Sequence, residues 1–107
     1  MPNKLELRSQ DVAWVGILCR NYKGLARHYF VVFTDNNVSV RFDFGCTGFE
    51  IKTFTDQPPS KLHLSKHINE CFDDVRTYAM NTWGESDYRV RTNNCCTCAM
   101  DIYQNNA

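Results

Sequence analysis

The sequence predicts an α+β domain in which an antiparallel β meander packs against one long helix and a C-terminal helix that carries cysteines. Three observations lead there. Residues 27–34 and 38–44 flank an Asp35-Asn36-Asn37 tip, and in the second run apolar and polar side chains alternate as in a half-buried hairpin strand. Ile68, Cys71, Phe72, Val75, Ala79 and Trp83 recur at helical spacing. Between these regimes lies Gln57-Pro58-Pro59-Ser60, and two prolines cannot join a ladder.

Taken in order, residues 1–10 read as a flexible lead-in, leaving 11–107 as a single domain. Residues 12–19 (Val-Ala-Trp-Val-Gly-Ile-Leu-Cys) are apolar and partly β-branched, as a buried strand would be. Asn21 to Gly24 supplies a turn, and a second strand runs from about Arg27 to Thr34. In the third, Val38, Val40, Phe42 and Phe44 face one way and Ser39, Arg41 and Asp43 the other. Gly45 to Gly48 turns the chain into a fourth strand over 49–54. A helix is then expected from roughly Ser65 to Thr82, stopped by Gly84, followed by a short strand at Tyr88 and a helix from Cys95.

With 107 residues there is room for one core. Hydrophobic residues at 43% and aromatics at 13% are enough to build it. Twelve basic and twelve acidic side chains cancel, so nucleic-acid binding would need a local patch. No apolar run approaches the roughly 20 residues of a membrane span, and the first residues lack the apolar segment of a secretion signal. Of the six cysteines, Cys95 and Cys96 are adjacent, while Cys19 and Cys71 sit within amphipathic patterns. That distribution favours free thiols in a reducing, cytoplasmic setting, and no cofactor is indicated.

The stretch from Tyr88 to Tyr103 carries the most chemistry. Thr92-Asn93-Asn94 offers cap residues, and Cys95, Cys98, Ala99, Ile102 and Tyr103 then follow a helical period. A cysteine on the first turn feels the positive end of the helix dipole, which favours thiolate, and it becomes a nucleophile where a histidine reaches it. His28 opens the second strand on the side of Phe30 and Val32 and is the candidate base.

These two runs resemble a known family. Arg27-His28-Tyr29-Phe-Val-Val-Phe looks like the H-box of the lecithin retinol acyltransferase-like proteins, and Tyr88-Arg-Val-Arg-Thr-Asn-Asn94-Cys95 is similar to their NC motif. The resemblance covers about residues 11–103 and implies a circularly permuted papain-like fold, with Cys95 as thiol nucleophile, His28 as general base and Asn94 preceding the nucleophile. It places a third polar group near Val40, so Ser39 or Arg41 would have to substitute after a one-residue slip. Cys96-Thr97 replaces the polar pair that usually follows the nucleophile, and the C-terminal membrane helix of the cellular acyltransferases is not seen. The chain also resembles the H-box/NC 2A proteins of certain picornaviruses, with Gln104 compatible with a polyprotein junction. That comparison implies a viral accessory protein acting in replication and host interaction, cytoplasmic in the host cell, with host or viral protein partners and without robust catalysis. The alternative it implies is a thiol-dependent acyltransferase or phospholipase with a lipid substrate.

Two rival constellations remain. Cys95 and Cys98 form a C-x-x-C, and His63, His67 and Cys71 recur every fourth residue, so an early helix start would stack them for zinc or redox chemistry. Arg89 and Arg91, with Arg41 and Tyr88, could form a small RNA-binding patch. A hinge after Phe54 is compatible with a homodimer that exchanges its C-terminal helices.

Overall fold

The computed structural model describes residues 3–12, 26–89 and 92–107. It is α+β, with five antiparallel strands in one sheet and two helices. The strands are β1 (Asn3–Val12), β2 (Ala26–Thr34), β3 (Ser39–Gly45), β4 (Gly48–Thr53) and β5 (Lys61–Ile68). The helices are α1 (Phe72–Trp83) and α2 (Cys95–Gln104), and the sheet order is β4-β3-β2-β1-β5.

Alternation decides the two faces. Leu5 opposes Phe33, Leu7 opposes Val31, and Val31 in turn opposes Phe42. These side chains, with Phe44, pack against Val75, Ala79 and Trp83 of α1 and Cys98, Ala99, Ile102 and Tyr103 of α2. On the other face Glu6 opposes Val32, Arg8 opposes Phe30, Gln10 opposes His28, and Val32 opposes Arg41. Phe30 is fully buried there, with the Arg41 guanidinium 3.7 Å above its ring. Gly48 allows the tight β3–β4 turn, because its φ of 112° is a backbone angle that side chains disfavour.

Three sequence expectations are corrected. From Asn3 onward the expected lead-in is a strand: Asn3–Val12 is β1, hydrogen-bonded on both sides. The helix expected from Ser65 begins at Phe72 instead, and residues 61–68 form β5. Its start is fixed locally, since Cys71 is the N-cap and its backbone N–H donates to the Asp74 carboxylate at 3.1 Å. Of the strand expected at Tyr88, Val90 and Arg91 lie outside the described residues, and Arg89 is bridged to Asn93: the Arg89 N–H donates to the Asn93 carbonyl at 2.8 Å, and the Asn93 N–H returns a bond to Arg89 at 3.0 Å. The expected strand over 12–19 and the turn at Asn21 to Gly24 lie outside the described residues, apart from Val12 at the end of β1. No helix among the described residues is long and apolar enough to cross a membrane.

Candidate active site

Cys95 is the first residue of α2, and Asn94 is its N-cap. The Asn94 Oδ1 accepts the Thr97 backbone N–H at 3.0 Å and the Thr97 hydroxyl at 3.1 Å, satisfying donors that the first turn leaves open. The cap fixes where the helix begins and therefore where the thiol points. Cys95 is buried against the start of β2, where its Sγ accepts the Tyr29 N–H at 3.5 Å and lies 3.9 Å from the Arg27 carbonyl.

His28 meets Cys95 from β2. Its imidazole acts electrostatically on the Cys95 thiol, while Nε2 bonds Asp43 Oδ1. Asp43 is 5% exposed and reaches His28 from β3, one residue beyond the Val31–Phe42 pair. The carboxylate is held in place by further partners. Arg41 Nε donates to Oδ2 at 2.5 Å and Nη2 to Oδ1 at 3.2 Å, and Lys52 Nζ lies 3.2 Å from Oδ2. Arg41 is itself steadied by Gln10 Oε1 at 3.2 Å and by the Phe30 ring. With Nε2 committed to Asp43, Nδ1 is the ring nitrogen left for sulfur.

The electrostatics follow from these contacts. Burial alone would lower His28, but its hydrogen bonds to Asp43 and Cys95, and their charges, raise it to about 9. Burial likewise opposes ionisation of Asp43, and the bonds from His28 and Arg41 outweigh it, bringing the carboxyl down to about 2. Burial pushes the Cys95 thiol up, and the His28 imidazole, the Tyr29 N–H and the Tyr88 side chain together bring it below its ordinary value. Both shifts run in the direction that favours a thiolate beside an imidazolium over the neutral pair. Cys98, three residues on, is driven the opposite way by burial and by the Asp101, Cys95 and Asp43 charges. It is a core residue.

No family model matches the chain, and no curated protein or solved structure matches it. The site therefore rests on its own geometry. That geometry unites Cys95 and His28, and it gives Asn94 a role as helix cap.

It also corrects the third position. Ser39 pairs with Thr34, roughly 20 Å along β2 from His28 at about 3.3 Å per residue. The Ser39 hydroxyl hydrogen-bonds that of Thr34 at 3.0 Å. Arg41 braces the carboxylate but does not take its place. Asp43 was legible: continuing the hairpin register sets His28 opposite residue 45, and the diagonal neighbour two residues back is Asp43.

The rival constellations come apart. His63 and His67 lie on a strand, so a helical face shared with Cys71 does not exist. His63 instead hydrogen-bonds Ser9 Oγ at 2.6 Å and packs on the Tyr29 ring. Among the described residues no group of three His, Cys, Asp or Glu side chains could hold a metal ion. Arg89 is exposed beside the turn, Arg91 lies outside the described residues, and Arg41 is committed to Asp43 and Phe30. Cys71, Cys95, Cys96 and Cys98 are free, whereas Cys46 is disulfide-bonded, so the expectation of free thiols throughout does not hold there.

Proposed function

We propose that the protein is a thiol-dependent acyl-transfer enzyme, a hydrolase or transferase, in which Cys95 attacks an ester or amide carbonyl. The observation that carries this reading is the Asp43–His28–Cys95 relay. The scaffold reading, a viral accessory protein without robust catalysis, draws in part on the want of a third polar group, and the Asp43–His28 hydrogen bond supports the catalytic reading instead. Resemblance to the H-box/NC proteins points towards acyl groups of lipids as substrates, and His28 and Cys95 are the residues that carry it.

The steps follow from the groups present. The Cys95 thiolate adds to the carbonyl carbon, and the π electrons move to oxygen. Collapse expels the leaving group, which takes the His28 proton, and an acyl-thioester remains. Neutral His28 then withdraws a proton from water or an acceptor alcohol or amine as it attacks the thioester, and the thiol leaves as thiolate. Asp43 keeps Nδ1 aimed at sulfur and stabilises the imidazolium each time it forms.

The test uses p-nitrophenyl esters of increasing chain length. The wild type should release a burst of nitrophenolate stoichiometric with protein, with the acyl group found on Cys95 by mass spectrometry. No burst, or acylation spread over several cysteines and unaltered in Cys95→Ala, would overturn the reading.

A further inference from the structure

Removing His63 and His67 from any shared site leaves Cys95-Cys96-Thr97-Cys98 by itself, a C-x-x-C at the head of a helix. Cys95 and Cys98 lie three residues apart on the buried face of α2, which they share with Ala99, Ile102 and Tyr103. Cys95 is 8% exposed and Cys98 2%, whereas Cys96 is exposed. Successive residues of a helix do not face each other, so Cys98 and not Cys96 is the thiol that Cys95 can meet. The first turn closes where the Cys98 N–H donates to the Asn94 carbonyl at 3.0 Å. Helical neighbours three apart hold their Cβ atoms about 5–6 Å apart, and a disulfide needs about 3.5–4.5 Å. Tightening that turn to i→i+3 bonding eclipses the two side chains, a change common at helix termini. The pair is one small adjustment of a terminal turn away from bonding.

We propose that Cys95 and Cys98 are a dithiol–disulfide couple that exchanges with low-molecular-weight disulfides, Cys95 attacking and Cys98 resolving. This does not rest on the acyl-transfer reading; it gives the same thiolate a second chemistry. In the first step the Cys95 thiolate attacks one sulfur of the small disulfide, forms a mixed disulfide and expels the other half as a thiolate. In the second, Cys98 attacks Cys95 Sγ, the bond from Sγ to the bound half breaks, and that half leaves with the Cys98 proton. The two cysteines lose two electrons, and the small disulfide gains them as its halves separate. The surroundings order the steps. Burial, then the Asp101, Cys95 and Asp43 charges, push the Cys98 thiol up, so it stays protonated and does not compete for the incoming disulfide. Once Cys95 is in the mixed disulfide its charge is gone, and one of the groups opposing ionisation of Cys98 goes with it. Proximity supplies the rest, since the second attack is intramolecular.

The experiment exposes the protein to oxidised glutathione at neutral pH, quenches with iodoacetamide in denaturant, and maps the peptide that carries Cys95, Cys96 and Cys98. The wild type should form a Cys95–Cys98 disulfide and hold little glutathione, and a small dithiol should restore labelling of Cys95. In Cys98→Ala the first step remains and the second is lost, so the glutathione adduct on Cys95 should accumulate about tenfold or more above wild type. Cys96→Ser should leave the disulfide in place. Neither adduct nor disulfide at Cys95 in the wild type would overturn the proposal. So would an adduct equally persistent in wild type and Cys98→Ala, or a disulfide that Cys96→Ser abolishes. Should Cys98→Ala not fold, the wild type alone decides: a lasting glutathione adduct on Cys95 with Cys98 alkylated overturns the proposal as well. An absent acyl burst with the Cys95–Cys98 disulfide formed removes the acyl-transfer reading alone, and a normal burst without the disulfide removes this inference alone.

Discussion

Cys71 and Cys95 stand at the heads of two helices in the same small domain, and only one of them is built as a nucleophile. Both sit where helix dipoles are positive, Cys71 as the N-cap of α1 and Cys95 as the first residue of α2. Around Cys71 the chain places a carboxylate: the exposed Sγ lies 3.2 Å from Asp74 Oδ2 inside a capping box. Around Cys95 it places an imidazole, a backbone N–H and a phenol. A helix terminus is worth about 0.3–1 kcal/mol to a nearby charge, less than the roughly 1.4 kcal/mol of one pKa unit. The shared dipole therefore cannot separate the two thiols. Their neighbours do.

The contrast can be broken from the Cys95 side. The largest effect should come from His28→Ala, which removes the proton carrier and the charge beside the thiolate. Single-turnover acylation is expected to fall by about a thousandfold or more, with Cys95 alkylation at pH 6 slowed as well. An acylation rate within threefold of wild type would separate His28 from the chemistry.

Asp43→Asn should come next. The amide keeps a hydrogen-bonding shape but loses the charge that holds His28 high, and it leaves Arg41 and Lys52 without their carboxylate. Acylation is expected to drop by roughly 10–1,000-fold, less than for His28→Ala because the imidazole remains. The working pair is thiolate with imidazolium, so acylation by an unactivated ester should rise with pH through the lowered Cys95 value. It should then fall as His28 loses its proton near pH 9. In Asp43→Asn the alkaline limb should move to lower pH. A limb that stays put would mean that Asp43 does not set the His28 charge.

The smallest effect is a matter of stability. Asn94→Ala deletes the cap of α2 and should cost about 1 kcal/mol, lowering Tm by about 4–8 °C on the usual scaling for a domain near this size. Activity should fall modestly, because fraying the first turn loosens both Cys95 and its N–H. Thermal unfolding of the two proteins side by side checks this.

The legible parts of the fold are those whose signals are local. β2, β3 and β4 announce themselves by alternation around recognisable turns, and α2 by the Asn94 cap with its apolar period. β1 and β5 escape a sequence reading together, for one reason. They pair with each other, so taking Leu5 and Leu7 as part of a lead-in leaves Lys61–Ile68 without a strand to join. His63 also falls at the register shift between the two strands, where a bulge interrupts the period that would betray β5. The Ile68 and Cys71 spacing then extends the expected helix backwards past its true cap.

The site divides in the same way. Cys95 and His28 stand out because each occupies a motif, whereas Asp43 owes its role to register. Asp43 lies on the correctly assigned polar face of β3, but the resemblance points to Val40, three residues away. Tyr88 has the pattern of a strand start, and its ring packs on Phe44 at the edge of the core.

The comparison of the two helix heads is tested most directly by labelling all the thiols at once. Limiting iodoacetamide at pH 6, followed by peptide mapping, ranks them under one condition. Accessibility alone favours Cys71 and Cys96, which are exposed, over buried Cys95. The structure predicts that Cys95 is modified first and that His28→Ala abolishes its lead. Labelling that follows exposure, with Cys71 or Cys96 ahead of Cys95 in the wild type, would contradict the assignment of Cys95 as an activated nucleophile.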